Sequence, residues 1–168
     1  MQTYDPRSIS SVVYQNLQAL KDSTAAKDHK EQKGQAVEIY NYLATWGLLR
    51  LKAEEFALAS QPQKKKVVEC FFQSLQAIAF PEVKSLEKKQ AQSTANRDLK
   101  APPIRPNQPS STHTKTSNNK SQLIGQEGLK FLTSKKMSAS NYLGLTGLAL
   151  QISREFAFWA EAIYPKEK

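Results

Sequence analysis

The side chains in this sequence that could do chemistry are few and scattered. His29 stands in a polar stretch, KDSTAAKDHKEQKGQ, and His113 in a Pro/Ser/Thr-rich one, so neither has an obvious orienting partner. Cys70 is the one cysteine. It falls at the border of an apolar stripe, where a thiol behaves as a small hydrophobe, and alone it offers neither an intrachain disulfide nor a metal pair. Glu54 and Glu55 are adjacent, which on a helix sets them about 100° apart, a poor arrangement for paired carboxylates. The glycines of GLTGLAL and GQEGLK have neither the spacing of a phosphate or dinucleotide loop nor a strand before them. These residues point to no catalytic set, no metal centre and no cofactor. The chain reads as a binding protein rather than an enzyme.

Its cations carry more information. Residues 1–60 hold seven Lys/Arg and seven Asp/Glu, and residues 137–168 hold three of each, so the whole net charge of +9 lies between 61 and 136. Such an excess attracts polyanions, because each Lys or Arg that neutralises a phosphate releases a condensed counterion. Lys64, Lys65 and Lys66 follow Pro62 and fall in the first turn of a helix, where cations oppose the helix dipole. An anion is their natural use there, since a helix N-terminus also offers free N–H groups. Lys135 and Lys136 repeat the arrangement ahead of the last helix, with Lys130 upstream. Arg97, Lys100 and Arg105 add diffuse, salt-sensitive attraction, together with Lys115 and Lys120. No RRM-like aromatic motif, zinc finger or helix-turn-helix signature accompanies them, so the binding expected is sequence-blind contact with a phosphate backbone.

The elements that must position these lysines are helices, and no strand pattern competes. Asp5 and Pro6 form a cap and first position for a helix that carries Ile9, Val12, Val13, Leu17 and Leu20 at helical spacing. A second, longer helix, AVEIYNYLATWGLLRLKAEEFALA, ends at the Gln61-Pro62 break. It carries two opposed stripes, one with Val37, Tyr40, Ala44, Leu48, Leu51 and Leu58, the other with Ile39, Tyr42, Trp46, Leu49 and Phe56. The third helix has a single stripe from Val67 through Phe71, Leu75 and Ile78 before Pro81. Residues 88–122 contain four prolines and almost no large apolar side chains, and read as a disordered basic insertion. A short helix weakened by Gly125 and Gly128 follows, then a last helix capped by Ser138 or Ser140. The expectation is one all-α domain over 1–168, a small bundle of four to five helices. Apolar content of 39 %, below the roughly 45–50 % usual in globular domains, leaves part of the chain outside the core. No stretch approaches the roughly 18 apolar residues that span a bilayer, and MQTYDPRSIS lacks the regions of a signal peptide. A cytoplasmic protein that does not meet membrane is expected.

The last helix is apolar on two sides. Tyr142, Leu145, Ala149, Ile152, Phe156, Trp159, Ala160 and Ile163 make a core stripe, while Leu143, Leu150 and Phe158 share a second face with Gly147. Gly144 and Gly147 each cost about 1 kcal/mol against alanine in a helix, which close packing against the bare backbone would recover. Either the helix is central in its own bundle or it meets another subunit. The two stripes of the second helix favour a subunit contact through Trp46, Leu49, Phe56, Leu143, Leu150 and Phe158.

The segment YLGLTGLALQISREFAFWAEAIYP resembles the C-terminal helix of the small helical subunits of type III CRISPR effector complexes, in their RAMP-module (type III-B) form. The resemblance rests on Tyr142, Leu145-Thr146, Ala149-Leu150 and the aromatic-rich end through Phe156, Trp159 and Ala160. ATWGLLRLKAEE is similar to the Gly-Leu segment of an earlier helix in that family. What the resemblance implies is a non-catalytic α-helical bundle of an antiviral ribonucleoprotein. Its copies would stack head to tail beside other subunits of the effector complex and hold the backbone of the crRNA and target RNA through basic side chains. The other reading of the residues is a free-standing helical adaptor whose basic 88–122 segment binds an acidic protein or nucleic acid.

Overall fold

The computed structural model describes residues 5–81 and 122–165. Five α-helices account for most of them, with two 3₁₀ turns at Ala26–Asp28 and Leu58–Ser60, and no strand among the described residues. The helices are α1 (Pro6–Asp22), α2 (His29–Ala57), α3 (Pro62–Ala79), α4 (Gly125–Leu132) and α5 (Ala139–Ile163). Local chemistry sets their ends. The Asp5 carboxylate accepts the Arg7 N–H at 2.9 Å, with Pro6 at the first position where its missing N–H costs nothing. Of the two serines expected to cap the last helix, Ser138 does so, accepting the Asn141 N–H at 3.1 Å, and Ser140 lies within the first turn. The polar stretch read as a joint is shorter than expected: α2 already begins at His29 and runs through Gly34.

The second helix is not the continuous rod that its pattern suggests. Gly47 has φ +79° and ψ 170°, a conformation open almost only to glycine, and the helix breaks there into arms at 29–46 and 48–57. The arms double back on one another. Tyr42 donates its hydroxyl hydrogen to Glu54 at 3.0 Å, although twelve residues of uninterrupted helix would separate them by about 18 Å. The Leu49 N–H freed by the break is taken by the Tyr142 hydroxyl at 3.2 Å. Both stripes cross the break, and each arm turns its own residues to the core: Ala36, Ile39 and Leu43 are buried on the first, Leu48 and Leu51 on the second. The fold-back thus draws Ile39, Leu48 and Leu51 of the two stripes into the core, while Trp46 stays exposed.

Around this corner the remaining helices close one core. α5 packs most extensively on α2 and runs antiparallel to its first arm. Tyr164 reaches Gln32 at 3.0 Å, Glu161 reaches Lys33 at 2.8 Å, and Arg154 reaches the Tyr40 hydroxyl at 3.2 Å. α3 lies against α1, with Asn16 donating to Ser74 at 2.8 Å. Phe71 meets Phe72 and Phe156 edge-on at 5.4 and 5.5 Å between centroids, all three fully buried. Each such ring contributes roughly 1.5–3 kcal/mol by burial, and edge-on pairing about 0.5–1.5 more. The core stripe expected on α5 holds: Leu145, Ala149, Ile152, Phe156 and Ala160 are buried, with Tyr142, Trp159 and Ile163 packed partly against the core.

The packing defines two poles. At the first, the starts of α2 and α3 meet the ends of α1 and α5 through a polar chain. Asp28 accepts from Gln63, whose carbonyl accepts from buried Gln32, and the Gln32 carbonyl in turn accepts from Thr24 and Tyr164. At the second lie the Gly47 corner and the start of α5.

Candidate nucleic-acid interface

Lys64, Lys65 and Lys66 stand at the first pole, in the opening turn of α3, whose N-cap residue Gln61 makes no side-chain cap bond. Successive helical residues point about 100° apart, and the three ammonium groups diverge accordingly. Lys64 turns toward α2 and lines an open cleft of about 950 Å³ with Lys27, Lys30 and Lys33. Lys65 pairs with Glu69 of its own helix at 3.6 Å. Lys66 is exposed and borders a second cleft, of about 300 Å³, toward Asn16 and Ser23 of the α1 side. The triplet thus forms a ridge between two clefts rather than one anion pocket.

Lys27, Lys30 and Lys33 do not stand out in the sequence. Their run is interleaved with Asp22, Asp28 and Glu31, so charge counting reads it as neutral; only folding brings it beside Lys64. The larger cleft is also lined by Glu31, Glu38 and Glu161. Lys33 is held by Glu161 at 2.8 Å, so its charge is already partly answered. Lys27 and Lys64 are the cations of this cleft best placed to add to the Lys66 ridge.

Lys130, Lys135 and Lys136 belong to the other pole. Lys130 is exposed on α4 and pairs with Glu127 at 3.0 Å. Lys135 and Lys136 are exposed in the turn before α5, where the Lys136 N–H donates to Ser134 at 3.2 Å. The 25 residues of α5, about 37 Å of helix, lie between this cluster and the Lys64 ridge. The structure does not merge the two groups into one site. Arg97, Lys100 and Arg105, and the insertion at 88–122 apart from Gln122, lie outside the described residues.

The apolar candidates divide in two. Trp46, Leu143 and Phe158 are 55 %, 68 % and 61 % exposed. Leu49 and Leu150 pack partly against the core, and Phe56 is half-buried beside Lys52. A Cβ added at Gly144 or Gly147 would meet nothing within 4 Å, so none of the described residues packs on that bare backbone. The sequence pattern does not single out Tyr14, which is exposed and stacks obliquely on Trp159 at 4.9 Å, with Phe158 edge-on to the same indole at 5.1 Å.

Of the residues weighed for catalysis, His113 lies outside the described residues, and the others stand in structural surroundings. His29 donates from Nε2 to the Lys21 carbonyl at 3.1 Å and meets the Tyr164 ring edge-on. Cys70 is buried, and burial pushes its thiol up to about 12, which keeps the thiolate scarce. Glu54 is taken by Tyr42, and Glu55 by Lys52. Among the described residues, no group of three or more His, Cys, Asp or Glu is placed to hold a metal ion. None of their helices is long and apolar enough to cross a membrane. No protein-family profile, curated protein or solved structure matches the chain.

Proposed function

We propose that this chain is a non-catalytic, cytoplasmic subunit of a type III CRISPR ribonucleoprotein. Its α5 face docks a neighbouring subunit, and its lysines touch the nucleic-acid backbone. One observation carries the reading: the second face of α5 is uncovered, with Leu143 and Phe158 largely exposed and Gly144 and Gly147 bare. This is also the helix whose residues resemble that family's C-terminal helix. An exposed leucine beside bare Gly144 and Gly147, with an exposed phenylalanine further along the same helix, is surface that a subunit contact would cover.

In this reading the protein's part is positional. Pairing between guide and target reads the sequence, and lysines at the two ends of α5 hold phosphates without discriminating bases. The test is a tagged pull-down from the native cell, with mass spectrometry of the proteins and sequencing of the co-purified RNA. Repeat-derived guide RNA recovered with RAMP-type backbone subunits supports the proposal. An acidic protein recovered with no RNA after a moderate-salt wash overturns it and leaves the adaptor.

A further inference from the structure

α4 rejoins the bundle over the second arm of α2, its main packing partner. Three unusual features meet beneath it. Lys52 and Glu55 are buried and joined to each other, with the Lys52 ammonium 4.3 Å from the centre of the Phe72 ring. Burial drives each toward its neutral form more strongly than its partner holds it charged. The other charges that reach the pair are Glu69 and Lys65 of α3. The second feature is Gln76: its carbonyl accepts the Leu123 N–H at 2.7 Å, but its NH₂ group is buried with no partner among the described residues. The third is Gly128, where an added Cβ would strike the Leu123 carbonyl and come within 2.7 Å of the Lys52 side chain. A small cavity of about 240 Å³ remains between Lys52, Glu55, Glu69, Phe72, Ile124 and Gly125.

We propose that residues 123–132 form a strap, which closes over an ion pair it leaves poorly solvated and lifts as a unit while the other helices stay folded. Closure is held by burial of Leu123 and Leu132, by the Leu123–Gln76 bond and by Phe131 edge-on to Phe80. Opposing it are two charges and an amide that all regain water when the strap lifts. Local opening of this kind belongs to elements whose closure is nearly balanced. Lys130 lies on the strap and Lys135 and Lys136 just beyond it. On the nucleic-acid reading above, lifting therefore moves the cations of the second pole, and the strap regulates how they are presented.

The test is amide hydrogen exchange followed by mass spectrometry on the full chain without nucleic acid, so that its outcome is independent of whether RNA binds. In wild type, 123–132 exchanges faster than α3 by tenfold or more, on the order expected of a local opening. The double variant Lys52→Met/Glu55→Leu replaces the pair with apolar groups, and slows exchange in 123–132 by about tenfold while α1 and α3 are unchanged. Gly128→Ala gives the opposite sign. Alanine is the better helix former, so a helix with room for it would exchange more slowly; crowding against the buried Lys52 side chain, which lies outside the strap, makes 123–132 exchange faster instead. Equal protection of 123–132 and α3 in wild type, an unchanged double variant, or slower exchange in Gly128→Ala each overturns the strap. A wild type that exchanges as expected but binds no RNA would sink the functional reading alone.

Discussion

Lys52 and Glu55 form a pair whose cost depends on what replaces it. Lys52→Met alone leaves a buried carboxylate without its cation and should destabilise by about 3–5 kcal/mol, whereas adding Glu55→Leu should recover most of the loss. Urea midpoints of the two variants check this. The pH dependence has a definite sign. Burial raises the Glu55 carboxyl above its ordinary 4.5, so its contribution to stability is full below 4.5 and is lost as pH rises through the raised value. Burial lowers the Lys52 ammonium below its ordinary 10.5, so its contribution is full above 10.5 and is lost as pH falls through the lowered value. Wild type should therefore gain stability relative to Glu55→Gln as pH falls from neutral toward 4.5. A difference that stays flat over that window would remove the burial argument.

Gly47 decides the shape of an entire element. Its φ of +79° with ψ of 170° is reserved for glycine, so Gly47→Ala should cost about 1–3 kcal/mol, read as a lower urea midpoint. On α5 the expectation is the reverse: Leu143→Asp and Phe158→Asp lie on an uncovered face and should change stability by no more than about 0.5 kcal/mol. They should nonetheless abolish co-purification of the neighbouring subunit, with circular dichroism showing the helices intact. These contrasts also mark what is legible in the sequence. α1, α3 and α5 are readable because each has a capping residue or proline at its start and one consistent core stripe. α2 is not, because Trp46-Gly47-Leu48 sits among good helix formers, and a glycine there reads as a small penalty rather than a reversal. The clue is present in the two opposed stripes, but a fold-back and a second exposed face leave the same pattern in one dimension.

The whole molecule separates its cations into two groups at the ends of α5. The Lys64 ridge, with Lys27 beside it, is only half visible in the sequence, since Lys27 is masked by neighbouring acids until folding sets it beside α3. Two sites at opposite ends of a 25-residue helix, with no shared partner, should act independently. Lys135→Glu/Lys136→Glu and Lys64→Glu/Lys66→Glu should each weaken binding to an RNA duplex, and their free-energy losses should add within about 0.5 kcal/mol. Each pair should also lower the salt slope, by roughly 0.7–0.9 for every phosphate left unneutralised. Binding titrations over a salt series check both. Unchanged affinity in one double variant would remove that pole from the interface.

The Gly47 corner makes residues 29–57 a hairpin whose alternative is a rod. Straightened, the same 29 residues would reach about 43 Å and carry α3 away from the α1 and α5 of its own chain. A second chain straightened the same way could receive it, restoring the Phe71–Phe156 contact across two molecules. Gly47→Ala removes the residue that favours the bend, so its loss of monomer stability has an outlet in exchange of α3 between protomers. Size-exclusion chromatography of that variant should show a dimer that increases with concentration and retains its helices. One glycine would then set not only the course of a helix but the number of chains needed to complete a core.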